Sequence, residues 1–227
     1  MEPAADDSDN SRDRIQQVAR QHLEAGDPLG WFEAVYTLAD GQPDVIPWAD
    51  LEPHPKLSEL IEQHPAWVAG KRVLVVGCGL GDDAHALSQG GGSVSAFDLS
   101  GTAIEWARQR FSGSGIEFEV ANLLELAPRY RQAFDLVVEI FTLQALPLSL
   151  RESAVRSVAQ CVAPGGRLFI VCRARNDHDV PQGPPWALSR EDLGPIEQDG
   201  MKLIELADYI DNDEPPQRRF AATWQRS

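Results

Sequence analysis

Cysteine is scarce in this chain: Cys78, Cys161 and Cys172 are the only three among 227 residues, an odd number with no C-x-x-C pair. That leaves no disulfide framework to build on and points to a reduced, cytoplasmic interior. Long apolar runs are missing as well. None approaches the roughly 18 residues of a membrane-spanning helix, so no membrane partner is expected. The first ten residues carry Glu2, Asp6, Asp7 and Asp9 with no apolar segment behind them, which is not the pattern of a secretory leader. Positive charge is short too: 20 Lys and Arg stand against 35 Asp and Glu, giving a net charge of −15 and a pI near 4.6. Such a field repels polyanions, so nucleic acid is not expected as a partner. Arginines at 129, 131, 151, 156, 218 and 219 suit a solvated surface or a small anion.

What is present fits one globular domain: 25.0 kDa and 43% hydrophobic residues, enough for a substantial core. The chain is organised around Arg72 to Asp98. Val73 to Val76 is an unbroken apolar run, as in a strand buried on both faces of a parallel sheet. Gly77, Gly79 and Gly81 follow at alternate positions, where missing Cβ atoms let the backbone turn sharply and a ligand approach main-chain N–H groups. A helix comes next, and its N-terminal amides and partial positive charge point at the same spot. A second apolar run, Val94 to Phe97, ends on Asp98, about 20 residues beyond Gly77, where a carboxylate accepts from the ribose hydroxyls of a bound nucleoside. The glycines depart from the dinucleotide pattern G-x-G-x-x-G, because Asp82 stands where its last glycine belongs. Without a ligand, the same stretch reads as a tight strand-to-helix turn.

GCGLGDDA, with DLS at Asp98, resembles the first two motifs of class I methyltransferases that use S-adenosylmethionine. Three later stretches extend the resemblance in order: Asn122 closing a third apolar run, FDLVVEIFTLQALP from Phe134 to Pro147, and VAPGGRLFIV from Val162 to Val171. The resemblance covers roughly residues 60 to 225. It implies a Rossmann-like, three-layer α/β sandwich with a mostly parallel seven-stranded sheet, its last strand antiparallel, binding S-adenosyl-L-methionine. It places Gly77, Cys78, Gly79, Gly81, Asp83, Asp98 and Leu99 at the cofactor, with Asn122 and the Leu123 N–H serving the adenine ring. An Asn at 122 also suits capping of its own turn. Glu139 and Ile140 fall at the carboxyl end of the fourth strand, Glu139 as a partner for the methionine amino group or the substrate.

Three parts follow from the chain's composition: an acidic tail over 1–10 expected to be disordered, a helix and an aromatic, proline-rich lid segment over 11–57, and the catalytic domain over 58–227. Ser11 is a candidate N-cap of the first helix. Five prolines in 26–57 predict no long helix beyond about Ala34. The W-F-x-x-x-Y beginning at Trp31, with P-W at Trp48, is similar to the N-terminal region of the thiopurine and the thiol or halide methyltransferases, where an early tryptophan region covers the cofactor. Trp31 is accordingly assigned to the cofactor. Trp48, Gln144, Arg173 and Trp186 are assigned to the substrate. In that group the fourth strand ends in an acidic residue followed by Arg, and Ile140 takes the Arg place here.

The expected activity is in-line methyl transfer to a small molecule. Asp83, Glu139 and His178 are the candidate bases, none carried by a catalytic motif, and no metal site is expected. The lack of a clear base favours a soft acceptor such as a thiol or halide, because such nucleophiles need alignment and water exclusion more than proton removal. Transfer to oxygen or nitrogen of a metabolite, a nicotinamide dehydrogenase, and a non-catalytic nucleoside-binding module are the alternatives. Monomer and dimer both stay open.

Overall fold

A computed structural model describes the backbone of residues 7–227, with side chains from residue 14 onward. A seven-stranded sheet forms its centre: β1 Arg72–Val76, β2 Ser93–Asp98, β3 Glu117–Val120, β4 Phe134–Ile140, β5 Val162–Arg173, β6 Met201–Ile210 and β7 Arg218–Arg226. Their spatial order is β3-β2-β1-β4-β5-β7-β6. β1 pairs in parallel with both β2 and β4, β4 pairs in parallel with β5, and only β7 runs against its neighbours. The strand order therefore reverses at β1, where open α/β sheets leave a crevice at the carboxyl ends of their strands. The expected Rossmann-like sandwich is what forms.

The apolar run at 73–76 is buried on both faces, and its residues alternate between two cores. Leu74 and Val76 join Val137, Leu168 and Ile170 beneath α6 (Leu148–Gln160) and α7 (Arg190–Gln198). Val73 and Val75 join Leu136, Val138 and Phe169 beneath α3 (Pro55–Gln63), α4 (Asp82–Gln89) and α5 (Gly101–Arg110). Helix α7 starts with the Ser189–Asp192 capping box that its sequence advertises.

The N-terminal part differs from expectation at its boundaries. Helix α1 runs over Asp7–Glu24, so the last residues assigned to the acidic tail, and the N-cap candidate Ser11, are helical; residues 1–6 lie outside the described residues. Helix α2 runs over Gly30–Ala39, past the predicted stop at Ala34, because Pro28 and Pro43 flank it and no proline falls inside. It ends at Asp40 in a left-handed conformation. Trp31 and Val35 of α2 pack on Ala19 of α1, while Tyr36 and Ala39 pack on Leu80 and Ala103 of the sheet domain.

Candidate functional site

The turn after β1 forms the floor of the site. Gly77 and Gly79 have φ of +61° and +51°, a region in which any side chain is strained. The Cβ direction of Gly77 is filled, that of Gly79 meets a single oxygen, and both residues still line the cavity above them. A Cβ on Gly77 would fall 2.1 Å from the Thr142 hydroxyl, and one on Gly79 would fall 3.1 Å from the Tyr36 hydroxyl. The loop amides are also engaged: Cys78 N–H donates to the Phe97 carbonyl, Gly79 N–H to Asp98 Oδ2 and Gly81 N–H to the Cys78 carbonyl, each at 2.9 Å. The expectation of bare main-chain donors is therefore corrected at Gly79 and Gly81, whose N–H groups are engaged within the loop. At those positions what the loop offers a ligand is the closeness of its α-carbons.

Asp98 ends β2 almost fully buried. Oδ2 accepts from Gly79 N–H and Oδ1 from Ser100 N–H, both at 2.9 Å. Burial pushes its pKa up, against the pull of those donors. Burial likewise pushes the Cys78 thiol up, away from a nucleophilic thiolate.

Above this floor opens a cavity of about 640 Å³. Of the residues assigned from sequence, Trp31, Trp48, Gly77, Cys78, Gly79, Asp83, Asp98, Ile140, Gln144 and Arg173 line it. Gly81, Leu99, Asn122, Leu123, Glu139 and Trp186 are outside its lining. Asn122 Oδ1 accepts from Leu124 N–H at 3.0 Å, capping its own turn, and Leu123 is buried in the core. Trp186 is only partly buried; its N–H donates to the Gln144 carbonyl at 2.7 Å, and the neighbouring Pro184 and Pro185 reach the cavity in its stead.

Glu139 is fully buried and turned into its own loop. Oε1 accepts from Thr142 N–H at 2.7 Å and Leu143 N–H at 2.9 Å, while Oε2 has no hydrogen-bond partner among the described residues. Burial pushes its pKa up to about 7. The carboxyl thereby supports the sharp turn after β4, in which Phe141 has a φ of +66°. Thr142 completes the join, its hydroxyl donating to the Val76 carbonyl at 3.2 Å. His178, the third candidate base, is exposed and lines a separate depression with Arg175 and Arg190.

The roof comes from the N-terminal segment. Trp31 and Trp48 meet edge to face with ring centres 6.0 Å apart, and Tyr36 meets Trp48 in the same way at 6.0 Å. Glu33 ties α2 down: its carboxylate accepts from the Ser100 hydroxyl at 2.7 Å and from the Thr102 hydroxyl at 2.6 Å, at the start of α5. Burial alone would raise the Glu33 pKa, but the Thr102 and Ser100 donors bring it below the ordinary carboxylate range.

Sequence reading missed the side wall. His54, Phe141 and Arg219 stack in series, His54 edge-on to Phe141 at 5.2 Å and the Arg219 guanidinium 4.6 Å over the same ring. Arg219 is clamped by Asp211 at 2.5 Å and Asp213 at 2.7 Å. His54 N–H donates to Asp83 Oδ1 at 2.8 Å, and His54 Nδ1 accepts from Lys56 N–H at 3.1 Å. The ring thus keeps its proton on Nε2, and burial together with Arg219 lowers its pKa to about 4. Asp83, half-buried and with no cationic partner among the described residues, has its pKa raised by desolvation to about 6 despite the His54 donor. These residues lie far apart in sequence, and no local pattern joins them. The proline cluster at 53–55 and the acidic turn at 211–214 were their only signals.

The lining is strongly acidic. Asp50, Glu52, Asp82, Asp83, Asp98, Asp213 and Glu214 face it, against the guanidinium groups of Arg173 and Arg219. Asp82 is neutralised by Arg110 at 2.7 Å. Burial and the neighbouring Asp213 and Glu52 raise the pKa of Asp50. Among the described residues no group of His, Cys, Asp and Glu is arranged to hold a metal ion.

A family model described as a methyltransferase domain matches residues 73–166, the stretch from β1 into β5. Curated relatives include the ubiquinone biosynthesis O-methyltransferase of Aromatoleum aromaticum, 35% identical over 113 residues, covering 49% of this chain and 47% of that protein. The enzyme of the same name from Thiobacillus denitrificans is 34% identical over 136 residues, covering 55% and 58%. The chain thus spans about half the length of the curated relatives it matches. Among solved structures, one from work on the conversion of a disulfide bond into a thioacetal group during echinomycin biosynthesis superposes with a TM-score of 0.69 at 22% identity, over 86% of this chain and 90% of that one. Magnesium protoporphyrin IX methyltransferase from Synechocystis PCC 6803 with bound SAH gives 0.62 at 17% identity, over 76% and 82%. At these identities the structural likeness shows the fold.

Proposed function

We propose, for a chain that belongs to the class I methyltransferases through its domain at 73–166, that it transfers a methyl group from S-adenosylmethionine to a small molecule held in the cavity. The observation that carries this reading is the meeting of glycine loop, Asp98 and aromatic roof around one cavity at the strand-order reversal. The residues present fit the cofactor. Asp98 would accept from the sugar hydroxyls, and the Gly77–Gly79 backbone would lie under the amino-acid portion. Leu99, Asn122 and Leu123, the residues assigned to the adenine end, lie outside the cavity lining, so the fit rests on Asp98 and the glycine loop. When bound, S-adenosylmethionine supplies a methyl group on a positively charged sulfur. Aromatic faces and a net-negative lining both favour such a cation. The protein's own part is to align the acceptor with that methyl group and to exclude water under the α2 roof.

The lining also bears on the acceptor. Carboxylates repel an anion at short range, so a halide or a preformed thiolate is disfavoured against a neutral or cationic acceptor. A thiol arriving protonated is compatible with the site. A second reading, transfer to oxygen or nitrogen, is favoured by Asp83: it lines the cavity and, with a pKa of about 6, can take a proton near neutrality. The named activity of the curated relatives points the same way.

Calorimetry with S-adenosylhomocysteine tests the nucleoside site. Asp98→Ala is expected to weaken binding by about 1–3 kcal/mol, and unchanged affinity would remove the basis of the proposal. A titration with NADH addresses the dehydrogenase alternative. Labelled S-adenosylmethionine offered with iodide, 2-mercaptoethanol, catechol and benzylamine sorts the acceptors. Binding without turnover on any acceptor would favour the non-catalytic module.

A further inference from the structure

The aromatic roof contains a hydroxyl whose placement packing does not explain. Tyr36 is 2% exposed, yet its hydroxyl stands directly over the glycine loop, 3.1 Å from the point a Gly79 Cβ would occupy, and the residue lines the cavity. Trp48 Nε1–H donates to that hydroxyl at 2.8 Å, which uses the oxygen as an acceptor and directs its own proton elsewhere. Among the described residues no oxygen or nitrogen receives that proton. A buried O–H without an acceptor is costly, and native structures seldom keep one.

Three further features hold the group in place and keep it a donor. Glu33, less than one helical turn earlier on α2, fixes the helix to the start of α5 beside Asp98. Trp48 and Trp106 pack edge-on to the Tyr36 ring, at 6.0 Å and 6.3 Å, so the phenol has little freedom to swing away. Burial, and then the negative charge of Asp98, raise the pKa of the phenol, which therefore stays protonated at any physiological pH. Donation from the Trp48 indole polarises the hydroxyl and strengthens it as a donor.

We propose that the Tyr36 hydroxyl, set by Trp48, is a hydrogen-bond donor to an oxygen of the ligand seated on Gly77–Gly79. This rests on the nucleoside-binding reading above and assigns to α2 a direct part in recognition, beyond coverage of the site. The acceptor is a carboxylate oxygen of the ligand's amino-acid end or an oxygen of its sugar. Both lie within the same class of contact, a neutral donor meeting an oxygen lone pair.

The test is calorimetric binding of two probes, S-adenosylhomocysteine and 5′-methylthioadenosine, the latter lacking the amino-acid end, to the wild-type chain and to Tyr36→Phe and Trp48→Phe. Melting temperature and circular dichroism of each variant confirm folding. Tyr36→Phe removes one oxygen and is expected to weaken S-adenosylhomocysteine by about tenfold or more, with Trp48→Phe weakening it less. If methylthioadenosine is unaffected by Tyr36→Phe, the partner is the carboxylate; if both probes weaken alike, it is the sugar. A folded Tyr36→Phe that binds S-adenosylhomocysteine as tightly as the wild type overturns the proposal while leaving the nucleoside site intact. Failure of the wild-type chain to bind either probe overturns the nucleoside site and this contact with it.

Discussion

The floor and the roof of the cavity are built in different ways. The floor, from β1 through the turn after β4, is set by backbone: Thr142 fills the space over Gly77, Asp98 takes the Gly79 N–H and Glu139 takes the N–H groups of Thr142 and Leu143. The roof and side wall, from 30–54 and 211–219, are set by side chains: tryptophan edges, a phenol, a stacked arginine and a ring of carboxylates. A floor braced by these internal hydrogen bonds can hold a shape without a ligand but says little about which acceptor enters. The irregular roof and wall supply the charge and the apolar faces. Much of the charged and aromatic lining therefore comes from outside residues 73–166, while Asp83, Ile140 and Gln144 contribute from within them.

The comparison breaks most visibly at Gly77. Gly77→Val places a branched side chain at a φ of +61° and against Thr142, and is expected to cost about 3 kcal/mol or more, read as a lowered denaturation midpoint or loss of folded protein. Wild-type stability in that variant would show the floor to be far more pliable than described.

Trp31→Ala addresses the roof. Trp31 is 3% exposed and packs on Ala19, Val35 and Phe32, so truncation is expected to cost about 3 kcal/mol in thermal or chemical unfolding. If unfolding is unchanged and only turnover falls, the segment is a detachable lid and the two regions differ in mobility as well as in construction.

Glu139→Gln gives a smaller, pH-dependent effect. The native carboxyl, with its pKa raised to about 7, holds a proton that the unfolded chain releases from about pH 4.5 upward. Stability from this group is therefore full in acid and falls as pH rises between those two values, by on the order of 3 kcal/mol. Glutamine cannot ionise, and its variant is expected to show a flatter melting temperature between pH 5 and 7.5 than the wild type. An identical pH slope in both proteins would mean that Glu139 is already ionised in the native turn.

Much of the floor was legible in the sequence because its requirements are local. A four-residue apolar run must be buried on both faces, alternate glycines must end it, and an acid one strand later must sit beside the loop; Gly77, Gly79, Asp98 and Ile140 all reach the cavity. Local reading misjudged groups whose partners are set by direction. Glu139 was expected at the ligand and instead folds back on Thr142 and Leu143, since strand alternation turns it away from Ile140. Trp186 gave way to Pro184 and Pro185 for a similar reason, its backbone being tied to Gln144.

The sequence alone determined the strand-turn-helix core, because hydrophobic period and glycine placement act over a few residues at a time; the order of the strands is set by tertiary packing. Only the tertiary structure decided that Tyr36 stands over Gly79, that His54 orients Asp83, and that Arg219 stacks on Phe141. Each of those contacts joins residues far apart in the chain, and their geometry comes from how α2 and the β6–β7 turn pack against the sheet. No propensity or spacing encodes a distance between two segments until the core between them has closed.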